Sequence, residues 1–173
     1  MTTKKPLQST KYNTKKYGIA TSVPFEGFTN YATVLMAIAG ADGELSKDEI
    51  QWFIDEQELS YTDATECVKA VDEINRSGTW KNVDIEKKLS AIQDTIDSMD
   101  GSENFVDLRH TLLYQAIKMC RADKDYHKDE QAAVSKAAQT LGIQPDVVAN
   151  IESIAELEDT VERLRYSLLR AKA

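Results

Sequence analysis

The feature that most constrains this chain of 173 residues is an acidic segment that occurs twice. Residues 41–49 read Ala-Asp-Gly-Glu-Leu-Ser-Lys-Asp-Glu, and residues 122–130 read Ala-Asp-Lys-Asp-Tyr-His-Lys-Asp-Glu, an offset of 81. Each copy follows an apolar stretch with helical spacing and opens a shorter helical stretch. Self-similarity of this kind indicates that one helix-loop-helix unit is used twice. We therefore predict two halves, about 25–76 and 103–172, packed around a pseudo-two-fold axis.

Apolar residues recur at steps of three and four along the chain, which is typical of helices with one buried face. No stretch shows the period-two alternation of a half-buried strand. The three prolines and seven glycines leave room for long helices. These patterns predict an all-α fold of about seven helices in a compact bundle, with residues 25–173 as a single domain.

The charge is divided unevenly between the first residues and the rest of the chain. Residues 1–24 hold five lysines and no acid, so the other 16 basic residues stand against 29 acidic ones in the remainder. We interpret residues 1–24 as a basic, disordered tail with solvated lysines. The net charge of −8 argues against nucleic acid as a partner, because duplex binding needs a dense basic surface.

Neither a membrane location nor a disulfide framework is predicted. The N-terminus has no apolar core of a secretory signal, and the longest apolar run, residues 31–41, is too short to span a bilayer. We therefore expect a cytoplasmic protein with no transmembrane segment. Cys67 and Cys120 are too few and too far apart for a disulfide framework or a zinc site, and we expect both in the core.

The acidic segments suggest a site for a hard cation. Carboxylate oxygens from a loop and the first turn of a helix suit calcium, magnesium or manganese. An ordinary EF-hand is excluded, because the position that should hold its bidentate acid is Phe53 in the first copy and Val134 in the second. The candidate ligands are one set of three acids from each copy: Asp42, Glu44 and Glu49, and Asp123, Asp125 and Glu130.

Helix capping is the alternative explanation for the same acids. Ser46 and Glu49 have the spacing of a capping box, and acids at a helix start complement the helix dipole. In the second copy Lys124 replaces Gly43 and His127 replaces Ser46. These changes predict that the second loop has a different shape and lacks the box. Capping alone then explains only the first copy, and both interpretations stay open.

Other candidate sites are weaker. Asp107 and His110 have a ligand-like spacing, but di-metal bundles need a second such pair, and an exposed or capping histidine is the simpler interpretation. With two histidines and no phosphate-binding loop, the chain offers few groups for catalysis, and we expect no enzyme. The last helix, from about Pro145, either packs across the bundle or forms a partner or homodimer surface. We expect Leu164 and Leu168 to face the core.

Residues 39–49 end an aliphatic helix in the pattern Ala-x-Ala-Asp-Gly-Glu-Leu-Ser-x-x-Glu, and the pattern returns some eighty residues later. Over about residues 25–155 the chain resembles the TerB-like tellurite resistance family, with related domains in the membrane-anchored DjlA co-chaperones. The resemblance implies a compact helical domain, cation binding by the acids, and a role in stress-response or membrane-linked assemblies. The resemblance does not identify a chemical reaction.

The expected function is therefore a non-enzymatic binding and scaffolding module whose acidic loops bind a divalent cation, with a protein partner in a stress-response or membrane-linked assembly. The alternative is a protein-interaction adaptor. Its acidic loops would only cap helices, and its acidic surface would bind a basic partner.

Overall fold

The computed structural model describes residues 4–20, 22–98 and 108–170, with only the backbone given for residues 93–98. In these ranges all regular structure is helical apart from two isolated β-bridges, and none of the helices is long and apolar enough to cross a membrane. The all-α prediction is confirmed, and the seven expected helices are joined by a short one near the N-terminus. The helices are α1 (Lys11–Tyr17), α2 (Phe25–Ala39), α3 (Lys47–Ser60), α4 (Ala64–Ser77), α5 (Ile85–Ser98), α6 (Leu108–Cys120), α7 (Lys128–Thr140) and α8 (Pro145–Leu169).

The core is built on α2 and α6, which are equivalent helices of the two repeats. Residues 32–39 at the end of α2 are all buried, as are all but one of residues 111–120 in α6. A helix that is buried on nearly every side must be covered by other helices. Here α2 and α6 pack against each other, α4 and α5 cover α2, and α8 covers α6.

Contacts between the repeats bring the two acidic segments together. The first segment begins with a 3-10 turn, Gly40–Asp42, which packs on α7 of the second repeat. The helix that follows it, α3, packs on α6. Each repeat thus covers part of the other, and the helix starts at residues 47 and 128 lie at the contact between them.

The prediction of a disordered N-terminal tail is wrong for the described residues of that segment. Leu7 is 2% exposed, and its backbone pairs with that of Val23. Within α1 the Tyr17 ring is buried, and its hydroxyl donates to Glu56 at 2.5 Å. Lys16 forms an ion pair with the same carboxylate at 3.2 Å. Composition suggested solvated lysines, but the buried Leu7 anchors the segment in the core, and Tyr17 docks it onto α3.

The expectation that Leu164 and Leu168 face the core is also wrong. Their side chains are 55% and 77% exposed, and every residue from 161 to 170 is exposed. Helix α8 has 25 residues, about 37 Å at 1.5 Å per residue, whereas its packing partner α6 has 13, about 20 Å. The bundle therefore covers only the first part of α8, on the side of Ile151 and Ala155.

Candidate functional site

The first acidic loop is held by its own side chains. An Asp42 carboxylate oxygen accepts the backbone N–H of Glu44 at 3.0 Å, and Gly43 between them takes a left-handed conformation with φ of 106°. Ser46 Oγ accepts the N–H of Glu49 at 3.2 Å, while Glu49 Oε2 accepts the N–H of Ser46 at 2.6 Å. This reciprocal pair is a capping box, which satisfies two of the backbone donors at the start of α3.

The second loop repeats this geometry, so the prediction of a different shape is wrong. Asp123 accepts the N–H of Asp125 at 2.9 Å, and Lys124 adopts the left-handed conformation with φ of 71°. His127 Nδ1 takes the role of serine and accepts the N–H of Asp129 at 3.3 Å. Glu130 Oε2 closes the box on the N–H of His127 at 2.6 Å. A histidine can cap a helix with a ring nitrogen as acceptor, which the sequence comparison did not allow for.

The two glutamates that close these boxes meet in the interior. Glu49 and Glu130 are each 2% exposed, and their carboxyl groups lie close enough for each to perturb the pKa of the other. Two buried carboxyl groups this close disfavour a second negative charge, which favours a proton on one of them. Because Oε2 of each group already accepts a backbone N–H, both side chains are fixed in orientation. The pair lies where the two repeats meet.

Burial and mutual repulsion keep a proton on this pair. Burial is the main cause that raises the pKa of Glu49 above its ordinary value. For Glu130 burial comes first, followed by the neighbouring carboxyl group of Glu49 and the charge of Asp42, and together they raise the pKa to about 8. The proton belongs to the pair and not to one residue, since the two groups titrate together.

The remaining predicted ligands lie around the pair without completing a ligand set. The charge of Asp42 reaches Glu130, and that of Asp123 reaches Glu49. By contrast, the side chains of Glu44 and Asp125 are exposed, and both residues contribute backbone N–H groups to their loops. Among the residues that the structure describes, no three His, Cys, Asp or Glu side chains are grouped as a metal site.

Both cysteines are buried and free, as expected for core residues. Cys120 ends α6 close to the glutamate pair. Burial, followed by the charges of Glu130 and Glu49, raises the pKa of its thiol well above the ordinary value. A thiol in this state is a poor nucleophile and a poor metal ligand. The other candidate pair, Asp107 and His110, falls partly outside the described residues, because Asp107 is not among them.

Sequence reasoning missed the role of Glu56. This carboxylate is 6% exposed and accepts hydrogen bonds from Tyr17, from Tyr12 at 3.1 Å and from Lys16 at 3.2 Å. It is the point where the N-terminal segment docks on α3. The available signal was its position three residues after Phe53, on the apolar face of the helix, where an acid needs partners.

A groove between α3 and α8, which we call the α8 groove, was also missed. Its volume is about 1060 Å³. Aromatic residues from the body line one side, and apolar residues of α8 line the other. The lining residues include Trp52, Tyr126, Ile154, Leu157 and Val161. The helical spacing of α8 was visible in the sequence, but not which of its two apolar sides would be covered.

Comparison with known proteins agrees with this architecture. The sequence model of tellurite resistance protein TerB matches residues 28–153. The crystal structure of a tellurite resistance protein from Nostoc punctiforme superposes with a TM-score of 0.60 at 19% identity, over 92% of this chain and 91% of that one. At this identity the likeness shows the fold alone. No curated protein matches the sequence.

Proposed function

The chain belongs to the TerB family, and from this premise we propose that it is a non-enzymatic binding module whose two acidic loops together bind one divalent cation. The cation would lie at Glu49 and Glu130, where the two repeats meet. The loops would then act as a single site and not as two. A stress-response setting is part of the same proposal, supported by the name of the family and of its solved relative.

The observation that carries this proposal is the contact between two buried carboxyl groups. Helix capping explains why each glutamate turns back on its own loop, but it does not explain why two buried carboxyl groups lie so close together. Buried carboxylates in contact repel each other unless a proton or a cation lies between them. Oxygen donors of this kind suit calcium, magnesium or manganese, which bind carboxylates in oxygen-rich sites.

The site needs further ligands before it can hold a cation firmly, because calcium takes six to eight oxygens. Asp42 and Asp123 are the candidates for these ligands, since their charges already act on the glutamates. Each has one oxygen engaged by the backbone of its own loop. Cation binding would therefore combine the glutamate pair with these two aspartates and with water, while Glu44 and Asp125 remain on the outside.

Thermal melting with and without divalent cations tests the proposal. A ligand that binds only the folded state stabilises it by RT ln(1 + [L]/Kd), about 2.7 kcal/mol at a hundredfold excess over Kd. We expect millimolar calcium or manganese to raise the melting temperature, and either double variant, Asp42→Asn with Glu49→Gln or Asp123→Asn with Glu130→Gln, to abolish the rise. Two independent sites would instead leave part of the rise in each variant.

A matched control separates binding from simple charge screening. Asp72 and Glu73 are exposed on α4, and the double variant Asp72→Asn, Glu73→Gln removes the same charge elsewhere. It should keep the full cation response. Sodium at equal ionic strength should have little effect, although screening alone stabilises a chain of net charge −8 to some degree. If divalent ions do no more than sodium, the proposal fails.

The completed capping boxes favour a second candidate, the adaptor without a cation. Both loops form complete capping boxes at their helix starts, which accounts for Ser46, Glu49, His127 and Glu130 without any ligand. In that case the acidic surface itself binds a basic partner. The melting experiment distinguishes the two, because an adaptor shows no specific cation response. It would instead bind a lysine-rich probe peptide with an affinity that falls steeply as salt is raised.

A further inference from the structure

Exposed apolar surface is concentrated on α8. In the described part of the chain eight large apolar side chains are exposed, and seven of them belong to this helix. Five of the seven form a stripe with steps of three, four, three and four residues. Such a spacing averages 3.5 residues, which is the pattern that packs one helix against another in a coiled coil. The stripe residues are Ile154, Leu157, Val161, Leu164 and Leu168.

The stripe is distinct from the side of α8 that the bundle already covers. Ile151 and Ala155 are buried against the core, and Asp159 beside them accepts hydrogen bonds from Lys118 at 2.6 Å and Arg121 at 2.7 Å. At 3.6 residues per turn the centre of the stripe lies roughly a third of a turn from these residues. Helix α8 therefore has two apolar sides, of which one is used within the chain.

The charges of α8 are arranged so that two antiparallel copies of the helix complement each other. Residues 145–162 contain six acids and no lysine or arginine, whereas residues 163–170 contain three arginines and no acid. Two parallel copies would place acids beside acids and arginines beside arginines. Two antiparallel copies place the acidic part of each beside the basic part of the other. Along one edge of the stripe, Glu158 of one copy then lies near Arg165 of the other.

We propose that α8 pairs antiparallel with α8 of a second copy of this chain, with the two-fold axis between Val161 and Leu164. The pairing is isologous, so each stripe is covered by the same stripe of the other copy. The exposed end of each helix lies along the α8 groove of the other copy, against Trp52 and Tyr126. Burial of the leucines that end α8 is then supplied by dimerisation and not by the monomer fold.

Two double variants with matched chemistry test the contact between the two stripes, which we call the seam. Leu168 is 77% exposed in one chain and Leu169 is 76%, but only Leu168 belongs to the stripe. We expect Leu164→Glu with Leu168→Glu to give a folded monomer, because four negative charges would enter the seam. Tyr166→Glu with Leu169→Glu adds the same charge off the stripe and should remain dimeric. Mass by light scattering, against 19.4 kDa for one chain, and circular dichroism are the measurements.

The first measurement is the mass of the wild-type protein in solution. A monomer at tens of micromolar would overturn the proposal. Equal loss of the dimer in both double variants would also overturn it, because the stripe would then have no special role. A stripe variant that unfolds would be replaced by Val161→Lys alone, which places one charge near the proposed axis. Its monomerisation at unchanged helicity supports the seam, and a retained dimer contradicts it.

Engineered cysteines test the direction of the pair. The native Cys67 and Cys120 are fully buried and should not interfere. In an antiparallel pair with Leu157 opposite Leu168 of the other copy, two Leu168 positions are about 16 Å apart along the axis and cannot be bridged. A mixture of Leu157→Cys and Leu168→Cys chains should cross-link, and Leu168→Cys chains alone should not. Efficient cross-linking of Leu168→Cys to itself would show a parallel pair and overturn the proposal.

Discussion

Glu49 and Glu130 occupy equivalent positions of the two repeats, and each closes the capping box of its own helix while its carboxyl group lies close to that of the other. A proton on this pair relieves the repulsion between the two carboxyl groups at the contact between the repeats. Proton binding at that contact is coupled to folding, because in the unfolded chain both glutamates are solvated and separate. The stability of the molecule should therefore vary with pH in a way that this pair controls.

The pH dependence has a defined sign. The pKa of Glu130 is raised to about 8, against about 4.3 for an unperturbed glutamate, so between these values the folded state holds more protons than the unfolded state. Stability conferred by that proton is complete at low pH and is lost as pH rises toward 8, with a slope of at most about 1.4 kcal/mol per pH unit. Glu130→Gln should remove this slope, since glutamine carries no charge and its side-chain oxygen can still accept the N–H of His127.

The measurement is the free energy of unfolding in urea between about pH 5 and pH 8.5, with EDTA present to remove divalent cations. The difference between the wild-type and Glu130→Gln curves isolates the pair from other titrating groups. Glu44→Gln, an exposed acid in the first loop, is the control and should follow the wild-type curve. Parallel curves for wild type and Glu130→Gln would show that the pair carries no extra proton in the folded state.

Lys124 and Gly43 offer a reciprocal test of backbone strain. Both take the left-handed conformation, which costs a residue with a side chain roughly 1–2 kcal/mol. An added Cβ at Gly43 would meet no atom within 4 Å, so only this conformational cost applies there. We expect Gly43→Lys to destabilise by about 1 kcal/mol. Lys124→Gly should stabilise by about 0.5 kcal/mol, because the greater freedom of glycine in the unfolded chain offsets part of the relief.

Chemical denaturation of the two single variants and of the exchanged double variant provides the measurement. The double variant should lie close to the sum of the singles, because each acts within its own loop. Equal destabilisation by both single variants would mean that Lys124 is held by contacts of its side chain and not merely tolerated. In that event the second loop would depend on side-chain contacts of Lys124 that Gly43 cannot make in the first loop.

Features that depend on a local pattern of residues could be predicted from the sequence, whereas features that depend on packing could not. Periodicity located seven helices, and the repeat located both acidic loops, although the substitutions in the second copy led to a wrong prediction of its shape. It could not show that a charged residue such as Glu56 would be buried by tyrosines that lie about forty positions earlier in the chain. The apolar spacing of α8 was equally visible, but spacing alone does not say whether Leu164 faces its own bundle or solvent. The proximity of the buried carboxyl groups of Glu49 and Glu130 follows from the fold alone.

The docked N-terminal segment should contribute measurably to stability. Leu7 is 2% exposed, and buried Leu→Ala substitutions typically cost 2–5 kcal/mol. We expect Leu7→Ala to lower the melting temperature by several degrees, and deletion of residues 1–20 to lower it further, because Glu56 would lose its partners from α1. Lys5→Ala changes an exposed residue of the same segment and should leave the melt unchanged. An unaltered melting temperature after the deletion would show that the segment is not docked in solution.

Gly40 and Trp80 form a contact that fixes the start of the first acidic loop. Gly40 opens the 3-10 turn with φ of −85°, a conformation that any residue can adopt. Glycine is therefore needed there only because a side chain would not fit. A Cβ built there would overlap the six-membered ring of Trp80, which is 6% exposed. The ring cannot swing away as the end of a flexible chain would.

Overpacking of this kind typically costs about 1–3 kcal/mol, and we expect Gly40→Ala to destabilise the protein within that range. Trp80→Leu alone also destabilises, since it leaves a cavity. The double variant should be more stable than the sum of the two changes, because the smaller side chain makes room for the methyl group. Unfolding free energies of the four proteins in this cycle give the coupling. Strict additivity would mean that the turn moves away from Trp80, and that Gly40 is not held by this contact.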